Sequence, residues 1–331
     1  MGQVTGVNTG FARGRIAYAG RGRNSDASGL GGRGRICAMV ETLGEFSSLA
    51  GRRVMFSRYG PPDGHRILFH YGSPGTRHLG SRMAEVVERH GVQLLVLDRP
   101  GYGASTRWPG RRIADVVEDV AVLVDMLGWE RFAVWGGSGG GPHALACASL
   151  LADRVERCAS VVGPAPYGAD GLDWLEGMSA GNVEEFTRAL EGEEAYRPLV
   201  ERLARAAVEA AQAGEVSIPS DYDLPEADLA ALRARLADPG HLERIIAAYT
   251  DGVDGWIDDC MAMTRPWGFD PASIQAPVSI WYGPDDVLCP RGHAEWLLSR
   301  IPGSERHELP HGHMLEADEL DAIYSWLVLR P

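Results

Sequence analysis

The sequence contains no lysine, and its 32 lysine or arginine positions are all arginine. A GC-rich codon preference explains this bias, which carries no information about mechanism. Cysteine is also scarce, because the five cysteines are widely spaced, odd in number and never paired at metal-ligand spacing. We therefore expect free thiols, a reducing cytoplasmic location, and neither a metal ion nor another cofactor.

Long apolar runs are absent as well, since no stretch approaches the length needed to cross a bilayer. Acidic residues outnumber arginines and give a formal net charge of −13, which disfavours binding to nucleic acid or to an anionic membrane. With 331 residues, 45% of them hydrophobic, the chain can bury a large core. The composition predicts a soluble globular protein whose partner is a small-molecule substrate, and it leaves the oligomeric state open.

Residues 1–38 differ from the remainder of the chain. They are rich in glycine and arginine, contain the single acid Asp26 and show no hydrophobic periodicity. Low hydrophobicity predicts a disordered basic tail, and a basic arm that contacts nucleic acid or lipid is the alternative interpretation. A third interpretation is that translation begins at Met39. A secretory signal is not expected, because the apolar central segment of such a signal is missing.

After the tail, short apolar runs alternate with amphipathic helical patterns. Val92 to Leu97 is nearly all apolar, which is typical of a strand buried on both faces of a parallel sheet. Strand-like runs at Arg53 to Tyr59 and Arg66 to Tyr71 flank turn residues at Gly60 to Gly64, a pattern that predicts a hairpin. The alternation predicts an α/β fold, a mostly parallel sheet covered on both faces, with its core over residues 39–163 and 267–331.

Between residues 164 and 266 the alternation stops, and helical patterns follow one another without strands. The sequence here predicts a helical cap inserted into the core. Such a cap would cover the carboxyl edge of the sheet, where ligands bind in folds of this kind. Helices are expected in four places: Val183 to Leu190, Tyr196 to Ala213, Pro225 to Ala237, and His241 to Met263.

A glycine-rich turn, Gly136 to Gly140, lies between an apolar run and a helical pattern that begins near Pro142. Ser138 thereby occupies the serine of Gly-x-Ser-x-Gly in a strand, turn and helix context. A turn of this kind strains the backbone and brings segments so close that only small residues fit beside the serine. Gly137, directly before it, is a candidate for lining the pocket or supporting the site from behind. Free N–H groups at the helix start favour a developing negative charge. Ser138 is therefore the candidate nucleophile.

A serine hydroxyl needs a base within hydrogen-bond reach, and that base needs an acid to hold it. In this arrangement the expected chain order is serine, acid, histidine. An aspartate pair follows the next-to-last strand, and we assign Asp286 as the acid with Asp285 as the alternative. Two histidines follow the last strand. His313 follows a glycine and begins the last helix, so we assign it as the base in preference to His311.

The tetrahedral intermediate of acyl transfer needs two backbone N–H donors at its oxyanion. One is expected at Gly139, directly after the nucleophile, and the other at Ser73, in the loop after the strand that ends at His70. His70 either holds that loop from behind or is simply a buried histidine. Three residues in the loop after the following strand are interpreted as turn-forming and packing groups: Asp98, Arg99 and Tyr102.

Taken together, these segments resemble the α/β-hydrolase superfamily over residues 51–331. The resemblance rests on five segments: His70 to Gly75, Asp98 to Gly103, the serine turn, Gly283 to Pro290, and Gly312 with His313. Within the superfamily the chain looks like the capped bacterial serine hydrolases, a neighbourhood of esterases, proline iminopeptidases and C–C hydrolases. Ser138 differs from the aspartate of epoxide hydrolases and haloalkane dehalogenases. Gly139 differs from the tryptophan that usually follows the serine in iminopeptidases, and Gly137 differs from their pattern too.

The segments 254–259 and 265–269 resemble a cap exit found in actinobacterial members of the superfamily. Trp256 and Trp267 either line the acyl pocket or pack the cap onto the sheet. We interpret Asp258 and Asp259 as part of a solvated helix face. The resemblance offers an alternative, in which they bind a substrate amine as cap carboxylates do in iminopeptidases.

These observations predict a metal-free serine hydrolase that cleaves a small ester through an acyl-enzyme. In this scheme Ser138 attacks, His313 transfers the proton, Asp286 orients the histidine, and Ser73 and Gly139 bind the oxyanion. One alternative is hydrolysis of an amide or a carbon–carbon bond with the same triad. Another is a non-catalytic protein that binds a small ligand in the capped pocket.

Overall fold

The computed structural model describes residues 41–218, 220–238 and 240–329. The predicted tail, the alternative start at Met39 and the thiol of Cys37 lie outside the described residues. A sheet of eight strands in the order β1-β2-β4-β3-β5-β6-β7-β8 forms the centre of the described part. The strands are β1 (Glu41–Ser47), β2 (Arg53–Tyr59), β3 (His65–His70), β4 (Val92–Leu97), β5 (Phe132–Gly137), β6 (Val155–Val161), β7 (Val278–Tyr282) and β8 (Glu305–Glu308).

The predicted mostly parallel sheet is confirmed. Strands β3 to β8 pair in parallel, and β2 is antiparallel to both β1 and β4. All six residues of β4 are buried, as its apolar run predicts for a central strand. The carboxyl ends of the parallel strands therefore meet at one edge, where the loops after β3, β5, β7 and β8 converge.

The predicted hairpin between β2 and β3 is wrong. Strand β4 lies between them, with Phe56 of β2 opposite Leu97 and Ile67 of β3 opposite Leu94. The turn residues do reverse the chain, but a local turn does not dictate which strand becomes the neighbour. Strand β4 needs a partner on each side to bury its apolar run. The observed hairpin joins β1 to β2, and the largely exposed pattern of β1 gave no strand signal in the sequence.

Helices cover the sheet at the positions where the alternation places them. They are α1 (Ser81–Arg89), α2 (Val116–Met126), α3 (Gly141–Leu150), α9 (Arg291–Arg300) and α10 (Ala317–Leu327). Helix α2 buries Val116, Val120, Leu123 and Val124, the stripe that its three- and four-residue spacing predicts. Helix α3 starts directly behind the serine turn and is buried over most of its length.

Five α-helices of the described residues lie between β6 and β7: α4 (Ala180–Glu191), α5 (Glu193–Ala213), α6 (Glu226–Arg235), α7 (His241–Tyr249) and α8 (Asp254–Met263). We call this segment the helical insertion. The prediction of a single helix over His241 to Met263 is wrong, because helix α7 ends at Tyr249 and Gly252 adopts a φ of +99°. That φ is left-handed and incompatible with a continuing α-helix. None of the described helices is long and apolar enough to cross a membrane.

Candidate active site

The serine turn has the strained geometry that the sequence predicts. Ser138 adopts a φ of +53°, in a region that few residues with a side chain occupy. A Cβ on Gly136 would overlap the carbonyl oxygen of Gly140, and a Cβ on Gly140 would overlap that of His70. Glycine is therefore required at these two positions because backbones of three segments meet here.

The expectation that only a small residue fits at Gly137 is wrong. A Cβ there would meet nothing nearer than the Trp135 ring at 3.9 Å, and its φ is −101°. Both values are ordinary for a residue with a side chain. Gly137 also does not line the cavity described below.

His313 and Asp286 are hydrogen-bonded to each other. His313 Nδ1 lies 2.8 Å from Asp286 Oδ2, while Asp286 Oδ1 accepts from the N–H groups of Leu288 and Cys289, each at 2.8 Å. The alternatives Asp285 and His311 are exposed. Burial lowers the pKa of His313, but the Asp286 carboxylate outweighs it, so the pKa is raised above its ordinary value. The geometry is that of a base held and oriented by an acid.

Asp228 on α6 holds the backbone of the same histidine loop, a role that no pattern in the sequence indicated. Its Oδ2 accepts from the N–H of His313 and its Oδ1 from the N–H of Met314, both at 2.9 Å. Asp228 is fully buried. A Cβ on Gly312 would overlap this carboxylate, so the glycine before His313 makes room for it. The other acid of α6, Glu226, is exposed.

Ser138 is half-buried, and it faces a cavity that Met314 also lines. Among the described residues, its hydroxyl makes no hydrogen bond to His313. The structure therefore brings acid and base together and places the serine beside the same cavity, without the third contact of a triad. Such hydrogen bonds are often long in the absence of substrate and tighten when it binds.

The loop after β3 lies against the serine turn. A Cβ added to Gly72 would be 3.3 Å from the Ser138 Cβ, and one added to Gly139 would be 3.3 Å from the Ser73 nitrogen. Ser73, Ser138 and Gly139 all line the cavity. The two residues assigned to the oxyanion are therefore close to each other and beside the serine.

Asp259 is 1% exposed, so its interpretation as part of a solvated face is wrong. It forms ion pairs with Arg99, at 2.6 Å, and with Arg111, and it accepts a hydrogen bond from the Ser73 hydroxyl. Burial alone would raise the pKa of Asp259, but the guanidinium groups of Arg99 and Arg111 hold it well below its usual range. Arg99 is thus the centre of a buried charge cluster as well as a loop-packing residue.

Asp258 is also buried, at 3% exposure, and pairs with Arg107 at 2.8 Å. Helix α8 is enclosed on several sides, from Gly255 to Cys260, so neighbouring positions on it are buried alike. Helical periodicity in the sequence could not predict this, because the number of faces a helix buries is set by what packs around it.

His70 is buried at the end of β3, directly before the loop that contains Ser73. Its Nε2 lies 3.6 Å from Cys147 Sγ, and its ring centroid lies 5.7 Å from that of His143. Burial holds the pKa of His70 well below its ordinary value, so the imidazole is neutral. His70 does not line the cavity, which agrees with the interpretation of a buried histidine near the loop.

The cavity between the sheet edge and the helical insertion has a volume of about 340 Å³ and mostly apolar walls. Trp256 is part of this wall, whereas Trp267 lies elsewhere, buried and stacked on Phe269 with ring centroids 5.6 Å apart. Of the two interpretations of Trp267, lining the pocket is therefore wrong, and its ring packs on Phe269 instead. Trp256 is buried and also lines the cavity, so it has both the packing role and the pocket role.

Glu185 of α4 is the buried carboxylate of the cavity wall. Tyr196 and Tyr222 donate to its two oxygens at 2.6 and 2.5 Å. Burial raises its pKa, and within the described residues no arginine or histidine forms an ion pair with it. It lies one turn from Ala189 and next to Phe186 on the buried face of α4. A charged residue at a core position of a helix was the signal by which Glu185 could have been found in the sequence.

Within the described residues, no group of three or more His, Cys, Asp or Glu side chains is placed to hold a metal ion. Four of the cysteines are free thiols buried in the structure: Cys147, Cys158, Cys260 and Cys289. Burial raises their pKa values, so they are protonated thiols rather than nucleophiles.

Residues 65–211 match the α/β hydrolase fold family. The chain is 21% identical to the enol-lactonase of Burkholderia xenovorans LB400 in a structural superposition with a TM-score of 0.61, which covers 86% of this chain and 98% of the lactonase. The strand order and the family match show the α/β-hydrolase fold, as the motifs indicated.

Two curated relatives agree with this assignment. The chain is 26% identical to the pimeloyl-[acyl-carrier protein] methyl ester esterase of Chromobacterium violaceum, over 70% of this chain and 81% of the esterase. It is 30% identical to epoxide hydrolase B of Mycobacterium tuberculosis, but only over 40% of this chain and 38% of that enzyme. The family and these relatives support hydrolase activity.

Proposed function

We propose that this protein is a serine hydrolase that cleaves a small ester through an acyl-enzyme. The observation that carries the proposal is the strained Ser138 at the wall of an apolar cavity, beside a loop in which His313 is bound to Asp286. An elbow that exposes a serine, a histidine held in one orientation and a water-excluding cavity are the parts that acyl transfer needs. The esterase and enol-lactonase similarities point to the same kind of bond.

In the first half of the reaction, Ser138 Oγ attacks the ester carbonyl carbon and its proton passes to His313 Nε2. The carbonyl oxygen becomes an oxyanion, which the N–H groups of Ser73 and Gly139 bind. The tetrahedral intermediate then collapses, the carbon–oxygen bond to the alcohol breaks, and His313 gives its proton to the departing oxygen. In the second half, water repeats these steps on the acyl-enzyme and releases the acid.

The deciding experiment compares the wild type with Ser138→Ala. Both are incubated with a fluorophosphonate probe and with p-nitrophenyl esters of increasing acyl length. We expect labelling and turnover by the wild type and a loss of at least about 10³-fold in the variant. A folded wild type that is neither labelled nor active, yet binds small ligands, would favour a non-catalytic receptor. Turnover of vinylogous diketones but not of esters would favour C–C hydrolysis.

Glu185 supports a second candidate, a hydrolase for substrates with an ammonium group, including amino acid amides. Its carboxylate lacks a cation in the described cavity wall, and the Tyr249 and Trp256 rings stand near each other with centroids 6.1 Å apart. Carboxylates and aromatic faces together attract ammonium groups. The test pairs each neutral substrate with an isostere that carries an amine, for the wild type and for Glu185→Gln. A preference for the amine that Glu185→Gln abolishes supports this candidate, and no preference rejects it.

A further inference from the structure

The oxyanion loop, Tyr71 to Ser73, is bound on its far side by a buried guanidinium. Arg99 Nη1 donates to the carbonyl oxygen of Tyr71 at 2.7 Å, and Arg99 Nη2 donates to that of Gly72 at 3.0 Å. The guanidinium also stacks over the Tyr71 ring at 4.3 Å. Because its N–H groups form a rigid planar fork, one arginine fixes two successive carbonyls of the loop.

Asp259 connects this guanidinium to the third residue of the loop. Its Oδ2 accepts from the Ser73 hydroxyl at 2.5 Å, from Arg99 Nη2 at 2.6 Å and from the Tyr102 hydroxyl at 3.0 Å. Ser73, Arg99 and Tyr102 lie on loops of the core, whereas Asp259 lies on α8 of the helical insertion. One carboxylate therefore joins the insertion to the oxyanion loop.

The Gly72–Ser73 peptide unit links these contacts to the chemistry. In a planar trans peptide the C=O and the following N–H point in opposite directions. With the Gly72 oxygen bound to Arg99, the Ser73 N–H must point away from the guanidinium. The Ser73 nitrogen lies next to Gly139, on the side of the loop that faces the serine turn. The direction of this donor therefore depends on where Arg99 sits, and Asp259 fixes that guanidinium.

We propose that Arg99 and Asp259 are positioning residues for the oxyanion hole, which aim the Ser73 N–H and make its geometry depend on the docking of α8. This inference rests on the proposed serine hydrolase function. Neither side chain lines the cavity, so neither touches the substrate. Donors that are fixed before the reaction stabilise a developing oxyanion more than donors that must reorganise. The helical insertion thus completes the catalytic geometry in addition to enclosing the substrate.

The test compares Asp259→Asn with Asp258→Asn. Asp258 is the matched control, since it is the adjacent buried carboxylate of α8, is paired with Arg107 and, among the described residues, forms no hydrogen bond with the oxyanion loop. We expect Asp259→Asn to lower kcat by roughly 10- to 100-fold with KM changed by less than about 3-fold. The Ki of a trifluoromethyl ketone, which mimics the tetrahedral intermediate, should rise by the same factor. Asp258→Asn should leave kcat and Ki within about 3-fold of the wild type.

Folded Asp259→Asn with unchanged kcat and Ki overturns the inference, as does an equal loss in Asp258→Asn. Removing one charge from a buried pair can also unfold a protein, and in that case Ser73→Ala decides. This variant keeps the Arg99–Asp259 pair and the hydrogen bonds of Arg99 to the Tyr71 and Gly72 carbonyls. It removes the hydroxyl by which Asp259 holds the loop directly. We expect a kcat about 3- to 10-fold lower at unchanged KM and thermal midpoint, and an unchanged kcat rejects the proposal.

The outcome for the wild type distinguishes a failure of the positioning role from a failure of the serine hydrolase function. A wild type that turns over esters while all three variants match it rejects the positioning role alone. A wild type that is neither labelled by fluorophosphonate nor active on any ester rejects the serine hydrolase function and this inference with it.

Discussion

Asp286 binds His313 with one carboxylate oxygen and its own loop with the other. Its Oδ2 lies 2.8 Å from His313 Nδ1, while its Oδ1 accepts two backbone N–H groups. The carboxylate is therefore held in place by its own loop, independently of its hydrogen bond to the imidazole. Its neighbour Asp285 has the same chemistry but is exposed. Substitution of Asp285 is therefore the control for substitution of Asp286.

Asp286→Asn should abolish most activity and leave the fold intact. The Asn carbonyl can keep the two backbone hydrogen bonds, but its NH₂ then faces His313 Nδ1 and forces the proton onto Nε2, where the base must accept. We expect kcat/KM on a p-nitrophenyl ester to fall on the order of 10³- to 10⁴-fold. Asp285→Asn should change it by less than about 2-fold, and equal losses would contradict the assignment.

The pH profile of the wild type should have an acid limb set by His313. The base must be neutral, and the net effect of Asp286, Asp228, Arg235 and burial raises its pKa above the ordinary 6.5. Activity should therefore fall as the pH decreases through a midpoint above 6.5. Measuring kcat/KM from about pH 5 to about pH 9, a range that brackets the titration of histidine, checks this. A midpoint below the ordinary value contradicts the prediction.

Asp228→Asn should shift that limb to lower pH. The Asp228 charge raises the pKa of His313, so its removal lowers that pKa and the base stays neutral to a lower pH. One of the two N–H groups of the histidine loop also loses its acceptor, at a cost of about 1–3 kcal/mol in stability. Glu226→Gln on the same helix is the control, because Glu226 is exposed and paired with Arg233. The prediction fails if both variants keep the wild-type midpoint.

Gly136→Ala should strongly destabilise the protein, whereas Gly137→Ala should not. A methyl group at Gly136 would overlap the Gly140 carbonyl, but at Gly137 its nearest neighbour would be 3.9 Å away. We expect the first variant to lose about 1–3 kcal/mol or more of unfolding free energy. The second should be neutral or gain about 0.4–1 kcal/mol through the unfolded state. Urea denaturation of both variants measures this, and similar midpoints would contradict the turn geometry.

Much of the fold was predictable from local patterns. The apolar run of β4, the helical stripe of α2 and the order of loops after the strands are properties of a few neighbouring residues. The pairing partners of the strands could not be predicted, because the chain reversal at Gly60 to Gly64 does not reveal that β4 lies between β2 and β3. Strand β1 was missed because an exposed edge strand has no apolar alternation.

The same division holds for the candidate site. By itself the sequence determined which residues could act: Ser138 on its turn, Asp286 or Asp285, and a histidine after the last strand, because each role needs a particular side chain at a particular strand end. Only the tertiary structure selected Asp286 by burying it against His313. It also decided that Asp228 and Asp259 of the helical insertion hold the histidine loop and the oxyanion loop. A buried carboxylate and a solvated one look alike in sequence, and what distinguishes them is the partner that the fold places beside them.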